Sequence, residues 1–311
     1  MPSPNCDIES LIKSQALSLG FDACGFAAAT PVEDEAVASY DRWIRQGRNG
    51  CMQWAAGHRD LRRDPTMLLD GAQTVISLAL NYYPARFQPA GALRVAYYAY
   101  GRDYHEVLRE KMTKLADFIE EITHCATRPC VDSAPIRERY WAQRAGIGFV
   151  GRNNCLILPG KGSYYFLGEI VTTARLAPDE PCTMSCGDCG RCVEVCPSGA
   201  LRDVGGADCN RCLSCLLIEN HDESLPEWVS GVAGDRVVGC DECQLCCPHN
   251  AHAEPTTIED FAPTEAVMTL TRERIMAMTG GGFRRTFANS AISRLRLKTL
   301  RRNAALVTDV D

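Results

Sequence analysis

The spacing of apolar positions changes repeatedly along residues 1–180, and the changes predict alternating helices and strands. Ile8–Leu19 repeats its apolar residues at helical spacing and stops at Gly20. Thr74–Tyr82 is a continuous apolar, β-favouring run of strand length, closed by Pro84. Tyr104–His124 places Val107, Leu108, Met112, Leu115, Phe118, Ile119 and Ile122 on one side of a long amphipathic helix. Cys130–Asp132 reads as a short strand end, followed by a helix from Pro135 to Ala145. Leu156–Leu158 and Tyr164–Thr173 read as two strands joined by the turn at residues 159–162. The pattern predicts an α+β chain whose first domain, residues 1–180, is of α/β type with a central sheet.

The pattern fails between Cys182 and Cys247, where Trp228 is the one aromatic residue and Gly and Pro recur. Twelve of the chain's 18 cysteines fall there, so the segment needs a staple other than an apolar core. Nothing at the N-terminus routes the chain to an oxidising compartment: Asp7, Glu9 and Lys13 stand where a signal peptide needs apolar residues. A cytoplasmic location is therefore expected, and metal is a better staple than disulfides.

The spacing names the metal. Cys186-x2-Cys189-x2-Cys192-x3-Cys196-Pro197 has the form of a bacterial two-cluster ferredoxin run. Cys240-x2-Cys243-x3-Cys247-Pro248 is a second such run, and Cys209, Cys212 and Cys215 between them are candidates for the missing ligand. A tight CxxCxxC loop wraps three corners of a cubane, and the next cysteine reaches the neighbouring cluster. Zinc sites present well-separated CxxC pairs instead, so residues 181–255 are read as a ferredoxin-like domain with two [4Fe-4S] clusters.

Residues 256–311 return to helix. From Thr271 to Arg302 nine residues are basic (Arg272, Arg274, Arg284, Arg285, Arg294, Arg296, Lys298, Arg301 and Arg302) against one acid, Glu273. The whole chain, 311 residues long, carries a net charge of −6, which argues against wholesale nucleic-acid binding but leaves room for a local basic patch. The patch reads either as the footprint of a polyanion such as RNA or as a solvated helical face. No apolar run reaches membrane-spanning length.

Other apparent motifs fail on context. Gly146-x-Gly148-x-x-Gly151 follows a helix and precedes a strand, the reverse of a dinucleotide fingerprint, and reads as a tight turn. Asp103-Tyr-His105 begins like a cobalamin-ligating motif, but Leu108 stands where that motif needs glycine. His124, His249 and His252 have no ligand spacing among themselves. Cys6, Cys24, Cys51, Cys125 and Cys130 read as small apolar residues. Asp132, at a strand end, is either a general acid with a raised pKa or the cap of the next helix.

Together these residues resemble the epoxyqueuosine reductases. The matching motifs are Asp132-Ser-Ala-Pro135, the stretch from Trp141-Ala to Gly151-Arg-Asn153, and Gly162-Ser-x-x-Phe-Leu-Gly168-Glu169. Cys212-Leu-Ser-Cys215 through Glu219, Gly239-Cys240 through Pro248, Asn81–Pro84 and Tyr100–His105 match as well. The resemblance runs from Leu19 to Arg302 and implies reduction of epoxyqueuosine to queuosine at the wobble position of tRNA. It implies base-off cobalamin in the N-terminal domain, two [4Fe-4S] clusters feeding it electrons, and Asp132 as proton donor. One cluster would take Cys186, Cys189, Cys192 and Cys247, and the other Cys196, Cys212, Cys240 and Cys243. Cys209, Cys215 and Cys246 are then extra, with Cys215 standing where the family often has Tyr. Corrinoid contacts are expected from Tyr100, Arg152, Asn153, Ser214 and the Gly168–Thr172 strand. The basic segment becomes a tRNA-facing surface, and the electron donor is expected to be of flavodoxin or ferredoxin type.

Longer members continue into helical repeats beyond the segment ending at Ala305, so this chain reads as a short form, acting as a monomer away from membranes. Three other readings stay open at this point, one of them a cobalamin-handling protein that binds the corrinoid without turning over tRNA. A corrinoid iron–sulfur reductase of dehalogenase type shares the cofactors, and a two-cluster electron-transfer protein would need neither corrinoid nor Asp132.

Overall fold

A computed structural model of the chain describes residues 7–202 and 206–307. Its strands, in chain order, are β1 (Ala23–Ala28), β2 (Thr74–Asn81), β3 (Arg94–Val95), β4 (Thr127–Cys130), β5 (Phe149–Val150), β6 (Leu156–Ile157), β7 (Tyr165–Thr172) and β8 (Arg236–Val238). Two compact units share the chain. The first holds Met1–Asp41, Gly57–Asn81 and His105–Gly187; the second holds Arg42–Ala56, Tyr82–Tyr104 and Asp188–Asp311. The linear division at residues 180 and 255 is thus replaced by an interleaved one. Two segments from the N-terminal half build the unit that carries most of the cysteines.

The first unit is organised by a four-stranded sheet of order β1-β2-β7-β4, antiparallel at each pairing. This corrects the expectation of an α/β-type domain, whose crossovers would make the sheet parallel; the α+β class stands. The two central strands are covered on both faces, and all eight β2 residues are buried, which is why that stretch is apolar without alternation. On β7, Gly168 lies against the helix Tyr104–Thr123: a Cβ there would sit 2.5 Å from the Met112 sulfur. On the opposite face, Val171 joins Val75, Ala79, Trp141 and Ala142 in a shared core.

The helix Tyr104–Thr123 buries Val107, Leu108, Met112, Leu115 and Ile119 as its periodicity predicts, and it buries His105 with them. One local expectation changes. The helix after Asp132 spans Glu138–Arg144 and starts three residues beyond Pro135, with Arg137 at its N-cap. The stretches around residues 156–158 and 164–173 are both strands, as expected: β6 pairs with β5, and β7 lies between β2 and β4. The glycine motif is a turn from helix to strand, as expected. Gly146 has φ of 75°, and a Cβ there would lie 2.6 Å from the Glu180 carbonyl oxygen.

The second unit has a core of its own around Val95, Tyr100, Val237, Val238, Phe283, Phe287, Ile292 and Leu300. β3 and β8 pair in parallel at its centre. The buried amide of Asn303 donates to the carbonyls of Leu217 (2.8 Å) and Val237 (2.9 Å), tying the last helix, Leu297–Leu306, to the helix Leu213–Ile218 and to β8. Among the described residues no helix is long and apolar enough to cross a membrane. Cys6 lies outside the described residues.

Candidate active site and cluster runs

Asp132 follows β4 directly, where the chain leaves the sheet with φ of +40°. A non-glycine residue held in the left-handed region costs on the order of 1 kcal/mol, and Asp and Asn bear that cost best among side chains. Two contacts hold the turn. The Asp132 amide donates to Glu138 Oε1 at 2.9 Å, and its carboxylate Oδ2 lies 2.7 Å from His105 Nε2. The Asp132 side chain keeps 43% of its surface exposed, whereas His105 keeps 6%. The carboxylate therefore faces solvent on one side and a buried imidazole on the other. The capping alternative is removed, since the helix cap is Arg137.

His105 was set aside in the sequence because it failed a cobalt-ligand pattern. The signal that marks it is its position on the apolar face of its helix, three residues before Leu108 and seven before Met112. A polar residue there needs a partner, and Asp132 is that partner.

Behind this pair lie two further acids that sequence reading missed. Glu169, on the central strand β7, is fully buried opposite Ser77 of β2 and Cys130 of β4. Neither of its oxygens makes a well-formed hydrogen bond among the described residues, nor does the Ser77 hydroxyl. Burial, and then the charge of Glu138, push Glu169 well above the usual carboxylate range, against a smaller pull from Ser77. Glu138 is itself pushed up to about 7, first by burial and then by the charge of Asp132, with Arg139 and Arg62 pulling the other way. The signal for Glu169 was an acid inside an otherwise apolar strand.

These shifts give stability a pH dependence of definite sign. As pH rises above 4.5 the unfolded chain loses these protons while the native protein keeps them, so stability falls as pH rises towards the folded pKa values. Each such proton contributes a slope of about 1.4 kcal/mol per pH unit. Glu169→Gln is therefore expected to unfold in urea with a flatter pH dependence between pH 5 and 8 than the native chain. Parallel profiles would show that Glu169 is ionised in the fold.

The cysteine runs lie on short elements held by charge. The helices Arg191–Glu194 and Glu242–Leu245, which carry Cys192 and Cys243, pack on each other. Glu242 is gripped by Arg236 and by Arg94 (2.9 Å), and Arg94 also bonds Asp235 at 2.8 Å. Cys246 has Cys189 and Cys247 in its electrostatic surroundings, and Cys212 has Cys240 and Cys209. In the first unit, the Arg152 amide lies 3.5 Å from the Cys186 sulfur. All seventeen described cysteines are free thiols, the form a cluster requires. No three His, Cys, Asp or Glu among the described residues converge on one point as ligands of a single ion. A cubane needs no such convergence, because each thiolate binds a different iron.

The expected corrinoid contacts separate into two groups. Tyr100 is buried in the second core, stacked edge-on against Tyr97, with its hydroxyl 3.4 Å from Gln88 Oε1. Gly168 makes room for Met112, and Thr172 is fully buried with its hydroxyl donating to Ala126. All three are packed into the protein's interior. Arg152 is exposed, Ser214 half-buried, and Asn153 buried with Oδ1 accepting from the Cys155 amide. His105 is engaged by Asp132.

The basic segment is also divided. Arg301 donates to the carbonyls of Met276 and Met278, and Arg302 to those of Leu216, Asn220 and Asp222. Lys298 pairs with Glu223. Arg284, Arg285 and Arg296 are exposed.

Comparison with known proteins agrees with this layout. Residues 62–133 match the family described as Epoxyqueuosine reductase QueG, DUF1730, and residues 185–250 match a 4Fe-4S double cluster binding domain. The chain is 40% identical over 299 residues to an epoxyqueuosine reductase of Gloeobacter violaceus, covering 94% of this chain and 93% of that one. It is 37% identical over 293 residues to that of Escherichia coli, covering 91% of this chain and 76% of the relative. A crystal structure of an epoxyqueuosine reductase with an epoxyqueuosine-modified tRNA-Tyr stem loop superposes with a TM-score of 0.87 at 30% identity, over 96% of this chain and 80% of that one. A Bacillus subtilis epoxyqueuosine reductase, described with its catalytic aspartate loop swung out of the active site, superposes at 0.84 and 30% identity over the same shares. Identity at this level runs through both units and through the double cluster domain, and the chain belongs to the epoxyqueuosine reductase family.

Proposed function

We propose that this protein reduces the epoxide of epoxyqueuosine in tRNA to give queuosine, with Asp132 as the proton donor. The observation that carries the assignment is the Asp132–His105 pair at the end of β4, in a chain that also holds a double cluster domain. Removing the oxygen consumes two electrons and two protons and releases water. The clusters and a bound corrinoid supply the electron pair.

The chain's own residues supply the proton. A protonated Asp132 donates to neutral His105 Nε2, and an ionised one accepts from the imidazolium, so the pair holds one proton in either form. Delivered to the epoxide oxygen, that proton spares the expulsion of a bare alkoxide. The exposed side of Asp132 allows refilling from solvent, while buried His105 fixes the carboxyl orientation. Glu138 anchors the turn through the Asp132 amide.

Cys186, Cys189, Cys192 and Cys247 hold one cluster, and Cys196, Cys212, Cys240 and Cys243 the other. The free thiols and the nearness of Cys212 to Cys240 support this set. Arg152, Asn153 and Ser214 are the residues that would contact the corrinoid. The electron donor is a flavodoxin- or ferredoxin-type protein, and the chain acts as a cytoplasmic monomer.

Arg284, Arg285 and Arg296 face the tRNA backbone. Substituting all three by Ala is expected to weaken tRNA binding and to lower its salt slope by roughly 0.7–0.9 per lost phosphate contact. An unchanged slope would mean that this face is merely solvated. The cofactor assignment is tested by adding cobalamin to anaerobic protein that carries both clusters. Stoichiometric binding with the absorption of a base-off corrinoid is expected. No binding would leave a two-cluster electron carrier.

A further inference from the structure

Three cysteines outside the eight-ligand set meet in the second unit. Cys51 Sγ lies 3.6 Å from Cys215 Sγ, and Cys209 is a second hydrogen-bonding neighbour of Cys215. Cys51 reads from sequence as an isolated apolar residue, and Cys209 and Cys215 as surplus to the clusters. Their meeting is built by the chain around them. The Trp43 indole donates to the Ala207 carbonyl (2.8 Å), Arg48 to that of Gly206 (2.8 Å), and the Cys209 amide to that of Arg48 (2.8 Å). Asn210 donates to Gly47 (2.8 Å), and Trp54 to Glu219 (3.3 Å). Five bonds thus stitch residues 43–54 to the segment that leads into and through the helix Leu213–Ile218.

We propose that Cys51 and Cys215 form a redox-active dithiol, with Cys209 as the third thiol able to exchange into it. This rests on the cluster assignment above, because the three must be free of iron. A disulfide needs its sulfurs at about 2.05 Å, so closure from 3.6 Å asks the two sulfurs to approach by roughly 1.5 Å. Cys215 and Cys209 are buried, and Cys51 is the partly exposed member. Burial pushes the Cys51 thiol above its usual range while its hydrogen bond with Cys215 pulls the other way, so attack proceeds through the minor thiolate fraction.

The co-reactant is a small-molecule disulfide of the glutathione class. Cys51 thiolate attacks one of its sulfurs, forming a mixed disulfide and releasing one thiol. Cys215 then attacks the Cys51 sulfur and releases the second. One S–S bond forms in the protein as one breaks in the reagent, and two electrons and two protons pass to the released thiols. The oxidised form ties residues 43–54 covalently to the helix that begins just after Cys212, a cluster ligand in the proposed set.

The test uses protein reconstituted anaerobically with both clusters and treated with glutathione disulfide. Peptide mass spectrometry without reduction is expected to find a Cys51–Cys215 bridge, or a Cys209–Cys215 bridge by exchange, with iron content unchanged. Cys51→Ser is expected to keep its iron and lose the Cys51–Cys215 bridge, while Cys125→Ser keeps both. A bridge that involves a ligand cysteine with loss of iron, or no bridge at all, overturns the proposal. Loss of iron in Cys215→Ser also overturns it, and shows by that separate readout that the ligand set itself was wrong.

Discussion

Asp132→Asn, loaded with both clusters and corrinoid, is expected to convert epoxyqueuosine in tRNA about 10²–10⁴-fold more slowly than the native protein, the range for losing a positioned general acid. The substitution is a clean one. Asparagine accepts the left-handed backbone at φ of +40°, so the turn after β4 survives. The backbone amide still donates to Glu138, and the side chain can still bond His105. Only the transferable proton is gone. Cofactor content, tRNA binding and thermal unfolding should stay near native. A variant of native rate would place proton delivery elsewhere, and one that loses tRNA binding in step with its rate would make Asp132 a binding residue.

Cys192→Ser is expected to act on folding as strongly as Asp132→Asn acts on chemistry. Cys192 is buried on a helix of only four residues. The apolar cluster nearest in sequence, around Leu213, Leu216, Val229 and Ala233, is small. Cluster binding is therefore a large part of what folds residues 185–250, and a lost thiolate is a lost share of folding free energy. Iron content is expected to fall from about eight to about four per chain, and the segment should become open to protease. Full iron with native resistance would mean that another thiol ligates in its place, and Cys246, close to Cys189, is the first to examine.

What the sequence displays plainly is what a single stretch decides for itself. The apolar run of β2 is central because both its faces are covered, and the helix Tyr104–Thr123 carries its stripe at the expected spacing. The cysteine runs are equally local, since three ligands in seven residues encode a cubane loop by themselves. Long-range pairing is another matter. Nothing near Tyr164–Thr173 says that its partners are β2 and β4.

The active site shows the same division. Asp132 could be picked out at a strand end, but His105 is 27 residues away and its bond to Asp132 exists only once helix and sheet are packed. Tyr100 and Gly168 belong to family motifs, and motifs record packing as readily as ligand contact. Gly168 accommodates Met112 and Tyr100 fills a core. Cys51 and Cys215 are 164 residues apart, a distance that no spacing rule bridges.

The central claim is the reaction itself, and nucleoside mass spectrometry tests it most directly. The protein is reconstituted anaerobically with iron, sulfide and cobalamin, reduced, and given tRNA that carries epoxyqueuosine. Loss of one oxygen from the modified nucleoside, giving queuosine, is the predicted result. An unchanged epoxide, with both clusters and bound corrinoid verified in the same sample, would contradict it.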